Sequence, residues 1–174
     1  MTTRIIPLLL PLLILSLPVQ LFSGAAATQP SPDDTEGLEP RFAAIARTLG
    51  PGGIDKDDVF TYTLPRADLE LRTDAGPVPA PAAESRFHFF RCDCGKMNVV
   101  GQLVVADYEA NDVIDALREG MIKVVSVGPM FIGEQPRVLV VRFQGEGGAE
   151  TIARTIKSAL DWTGEARMTT QPTK

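Results

Sequence analysis

The sequence is poor in the side chains that most often do chemistry. Histidine occurs once in 174 residues, as His88, and cysteine twice, as Cys92 and Cys94. A Ser-His-Asp or Cys-His mechanism would have to use His88, and no Ser or Cys stands in a nucleophile-elbow setting. No Cys lies near the amino terminus, which removes the attachment point for a lipid anchor. Basic clusters are missing as well: 17 Lys and Arg stand against 22 Asp and Glu, for a net charge of −5. An acidic chain without a basic run does not suit phosphate backbones or anionic membrane surfaces, so no nucleic-acid partner is expected. The chain also has no internal repeat.

What is present begins with an export pattern. Arg4 supplies a short basic region, Ile5 to Phe22 is apolar, and Ala25-Ala26-Ala27 gives the small-x-small pattern that signal peptidase cleaves. Pro7, Pro11 and Pro18 interrupt the apolar stretch and no basic stop-transfer cluster follows it. Residues 1–27 therefore read as a cleavable signal peptide, and contact with a membrane is expected only before cleavage. The expected location is periplasmic or extracellular. Residues 28–40 are Pro-rich and acidic, a flexible linker. Residues 41–164 hold one domain, and 165–174 form a polar tail.

Within the domain, Phe42, Ile45, Ala46 and Leu49 at helical spacing predict a short helix stopped by Gly50-Pro51. Val59 to Leu64 and Leu69 to Thr73 predict two strands, and three prolines predict a loop without ladder bonds over Ala75 to Ala83. Arg86 to Cys92 and Met97 to Ala106 predict a hairpin with Asp93-Cys94-Gly95-Lys96 as its turn. A helix N-capped by Asp107 follows, with Glu109 in its first turn and Val113, Ile114, Leu117 and Met121 as its buried stripe. Strands at Ile122–Val127 and Arg137–Phe143 precede a last helix that buries Ile152, Ala153, Ile156, Ala159 and Leu160. The order from residue 97 is strand-helix-strand-strand-helix. It predicts an α+β two-layer sandwich, one mostly antiparallel sheet with two long helices on one face, akin to the split-βαβ plan.

Candidate sites are few. His88, Cys92, Cys94 and Met97 are soft donors suited to Cu(I) or Zn(II). In an extended strand, however, His88 and Cys92 stand ~13 Å apart at ~3.3 Å per residue. Cys92 and Cys94 are also a disulfide candidate, with their Cα atoms expected near the upper limit for such a bridge. Asp55-Lys56-Asp57-Asp58 opens like a calcium loop but has Phe60 where Gly is needed and Arg66 where Glu is needed. It reads as a solvated acidic turn. Gly145-Glu146-Gly147-Gly148 reads as a strand-to-helix turn whose Glu146 would repel an anion.

From Arg41 to Gly164 the chain resembles the LppY/LpqO family of exported bacterial proteins. The likeness lies in Leu64-Pro65-Arg66-Ala67-Asp68-Leu69, Gly101-Gln102-Leu103-Val104-Val105, Glu109-Ala110-Asn111, Gly133-Glu134-Gln135-Pro136-Arg137 and the helix from Ala149. The resemblance implies a His-rich site at places that here hold Gly128, Pro129, Met130, Arg142 and Glu146-Gly147-Gly148. The matching Glu109, Asn111, Glu134 and Arg137 are the residues left to line a polar pocket. The resulting expectation is an exported binding or scaffold module, non-catalytic and without a cofactor. Two alternatives stand beside it: a soft-metal or thiol-redox protein built on the Cys92/Cys94 hairpin, and a carboxylate-based enzyme using Glu109, Glu134 and Arg137.

Overall fold

The computed structural model describes residues 40–164; the expected signal peptide (1–27), the linker as far as residue 39 and the tail (165–174) lie outside the described residues. In chain order the elements are α1 (Pro40–Leu49), β1 (Gly53–Lys56), β2 (Val59–Pro65), β3 (Arg72–Thr73), β4 (Gly76–Pro77), β5 (Glu84–Arg91), β6 (Met97–Ala106), α2 (Ala110–Glu119), β7 (Lys123–Pro129), β8 (Val138–Gly147) and α3 (Ala149–Leu160).

Alternation with a period of two decides the sheet. Phe60 and Tyr62 of β2 and Ser85, Phe87 and Phe89 of β5 are buried, while the residues between them turn to the other face. Six strands pair in the order β1-β2-β5-β6-β8-β7, every neighbouring pair antiparallel. β8 lies between β6 and β7, so β6, α2 and β7 make a split βαβ unit with parallel outer strands. All three helices pack on one face, with α3 touching both α1 and α2. The α+β sandwich is thus as the periodicity predicts, with α1 joining α2 and α3 on the same face.

The main core lies between sheet and helices. Aromatic rings fill its β2–β5 side, with Phe42 stacked on Phe60 at 5.3 Å and Tyr62 on Phe87 at 5.7 Å. Gly101 sits among them because a Cβ there would lie 2.6 Å from the Phe87 Cβ and 2.8 Å from a backbone oxygen. Val113 and Leu117 of α2 and Ile152, Ala153, Ile156 and Ala159 of α3 are buried, Ile114 and Leu160 are half-buried, and Met121, expected on the α2 stripe, is exposed because α2 ends at Glu119. A smaller cluster lies on the opposite face, where Leu69, Leu71 and Ala83 cover Val104, Ala106 and Val138.

Several boundaries differ from expectation. Leu69 to Thr73 is not a strand: Ala67–Leu69 is a 3-10 turn, Glu70 is left-handed, and only Arg72 and Thr73 pair, as β3 with β4. The buried alternation of Leu69 and Leu71 imitates a strand because both residues plug the second cluster. Correspondingly, Ala75–Ala83 is not free of ladder bonds, since Gly76 and Pro77 form β4. Asp107 is not the N-cap of α2; Asp107–Glu109 is itself a 3-10 turn capped at Ala106. β8 runs to Gly147, so residues 145–147 are strand and Gly148 alone caps α3. The acidic turn is a two-residue hairpin loop, Asp57 and Asp58, both with positive φ as such loops require.

Candidate functional site

One half of the helix-free sheet face is open. Register places Thr61, His88, Val100, Gln144 and Lys123 in one row across β2, β5, β6, β8 and β7. Thr63, Arg86, Gln102, Arg142 and Ser126 form the next, and Val59, Phe90, Asn98 and Glu146 a third. These side chains are half-buried or exposed. Phe90, Asn98, Val100, Lys123, Gln144 and Glu146 border a groove of about 500 Å³. That volume is within the range of small-ligand sites. His88 belongs to this face, its Nδ1 2.9 Å from the Thr61 hydroxyl. Of the places where the resemblance implies histidines, Arg142 and Glu146 fall on this face at alternate positions of β8, and Gly128 pairs with Val140 of the same series, whereas Met130 packs on the second cluster and Gly148 caps α3.

The four residues expected to share a pocket are not brought together. Glu134 and Arg137 border a hollow of about 340 Å³ with Pro129, Phe131, Ile132 and Gly133. Within it Glu134 is buried and accepts a 3.3 Å hydrogen bond from the Val138 amide. Arg137 is exposed, its Nε 3.9 Å from Asp107. Asn111 is exposed on α2 and borders none of that hollow. Glu109 is fully buried elsewhere.

Glu109 is committed to structure. Its Oε2 accepts from Arg66 Nη1 at 2.9 Å and the Ala106 amide at 2.8 Å. Its Oε1 accepts from Arg66 Nη2 at 3.1 Å and the Gly164 amide at 2.8 Å. Arg66 in turn donates to the Val104 carbonyl at 2.7 Å and, through Nε and Nη2, to both oxygens of Asp68. Burial alone would lower the Arg66 pKa; the hydrogen bonds to Asp68 and Glu109 outweigh it and raise the value, keeping the guanidinium charged. Hydrogen bonding to Arg66 holds the Asp68 carboxyl below its usual 3.8 despite partial burial. Sequence reading missed Arg66 as a residue of consequence. Its one signal was an Arg-x-Asp pair on a turn after a strand, which says nothing of burial.

A second polar cluster sits at the β5–β6 turn. Cys92 and Cys94 have their Cα atoms 5.1 Å apart, well inside the disulfide range, and their sulfurs within bonding distance. The turn, closed by Gly95 N to Cys92 O at 3.0 Å, draws the two residues closer than extended chain would. Glu146 of β8 approaches them and accepts a 2.7 Å bond from Lys96. Met97 points into the core and His88 lies further along β5, so neither joins this cluster.

A family model described as Domain of Unknown Function (DUF1259) matches residues 43–162, and the chain belongs to that family. No curated protein and no solved structure matches it.

Proposed function

We propose that this chain is an exported, non-catalytic binding module whose ligand lies across the open half of the sheet. Within its family it is read as an LppY/LpqO-like member in which the imidazole places are filled by other residues. The export reading rests on the apolar stretch from Ile5 to Phe22 and the small residues at Ala25 to Ala27. The observation that carries the binding reading is the groove in which the Asn98 and Gln144 amides flank Val100 beside the Phe90 ring. Amides offer donors and acceptors together, and an aromatic edge supplies apolar contact, a combination suited to a hydroxyl-rich ligand. Glu109, the most deeply buried carboxylate, has both oxygens saturated by four donors, which supports a structural role for it over acid–base work.

Calorimetric titration with cellohexaose tests this reading. Saturable heat is expected, and Asn98→Ala or Gln144→Ala should each weaken binding about fivefold, the worth of one net hydrogen bond. No heat with the unaltered protein, or variants that bind as it does, would overturn the reading.

A further inference from the structure

We propose that the dithiol form of Cys92 and Cys94, with Glu146, is a zinc(II) site that disulfide formation closes. The three ligand atoms come from a turn and from a strand end more than fifty residues later in the chain, yet all lie within 4.8 Å of one another. Strand register sets the end of β8 beside the β5–β6 turn, since Asn98 pairs with Glu146 and Met97 with both Arg91 and Gly147. A tetrahedral zinc ion with Zn–S near 2.3 Å and Zn–O near 2.0–2.2 Å holds its ligands roughly 3.5–3.8 Å apart, so small side-chain rotations complete the set.

Two details favour a metal here beyond proximity. The Cys94 amide donates to the Cys92 sulfur at 2.9 Å, a bond that strengthens as the sulfur gains thiolate charge. Lys96 holds one oxygen of Glu146, orienting the carboxylate toward the turn while its second oxygen serves the ion. Two thiolates and one carboxylate form a borderline donor set that suits Zn(II); Cu(I) is satisfied by sulfur alone and gains little from the carboxylate. Water takes the fourth position, because Cys94 and Glu146 are exposed.

Zinc and the disulfide compete for the same sulfurs. A dithiol reductant transfers two electrons and two protons to the Cys92–Cys94 bond and is itself oxidised to a disulfide. Zinc then displaces both thiol protons as it binds. The site shares Glu146 with the border of the proposed ligand groove but needs neither Asn98 nor Gln144, so it can fail while that reading stands.

The test loads the protein with zinc chloride after phosphine reduction and measures uptake by competition with a chromophoric chelator. Reduced protein should hold one zinc per chain, and the oxidised protein none. Cys92→Ser with Cys94→Ser should abolish uptake. Glu146→Gln should weaken it at least about tenfold, because loss of even an outer partner costs that much. Cobalt(II) in place of zinc should give sulfur-to-metal charge-transfer absorption that the double variant lacks. No uptake by reduced protein, equal uptake by the oxidised form, uptake that survives the double Cys variant, or full affinity in Glu146→Gln would each overturn the proposal.

Discussion

Arg66 has only 7% of its side chain exposed and is compensated by Glu109, which has none. Removing Glu109 withdraws the buried one of the two carboxylates that neutralise this guanidinium and leaves Asp68, at the surface, to hold it. Glu109→Ala should cost about 3 kcal/mol in urea unfolding, since it also frees the Ala106 and Gly164 amides. A loss below about 1 kcal/mol would mean that the pair is replaceable by solvent. Asp68 adds a pH dependence whose sign follows from its lowered pKa. The folded form binds the proton less readily than the unfolded chain, so the stabilisation is present above 3.8 and fades as pH falls through the lower folded value. The gap in urea midpoint between wild type and Asp68→Asn should therefore narrow from about pH 5 to about pH 2. A constant gap would show that Asp68 does not titrate against Arg66.

At the scale of elements, α3 joins the molecule's halves, since it packs against both α1 and α2. Ile156 is fully buried on its inner stripe, and Ile156→Ala should cost about 2–5 kcal/mol. Leu160 is half-buried, so Leu160→Ala should cost less; equal losses in thermal or urea unfolding would mean that the end of α3 is as closely packed as its middle. The stripes of α2 and α3 and the alternation of β5 were legible because each repeats its period over about eight residues, whereas β6 alternates only at its start and then buries Leu103 to Ala106 without a break. The β3–β4 ribbon was not, because two-residue strands carry no period and their place depends on a backbone pair between Arg72 and Gln135. The same limit governed the site. Glu109 looks like surface charge at a helix start, and only Arg66, 43 residues away, makes it interior. Nor does local sequence say that Asn98 and Gln144 belong to one groove, since that follows from β8 inserting between β6 and β7.

Among the described residues the sheet is asymmetric: three helices seal one face, and a small cluster around Leu69 and Leu71 covers part of the other. Sheets with one solvated face are ordinary in antiparallel folds, so openness alone does not mark a site. What distinguishes this face is the mixture along its rows, where amides, hydroxyls, His88 and Phe90 stand together around a concavity. The most direct measurement is nitrogen-15 NMR of the protein during titration with cellohexaose. The account predicts amide shifts concentrated at Thr61, His88, Phe90, Asn98, Val100 and Gln144, with α1, α2 and α3 unmoved. Shifts centred on Glu134 and Arg137, shifts in the helix layer, or none anywhere would contradict it.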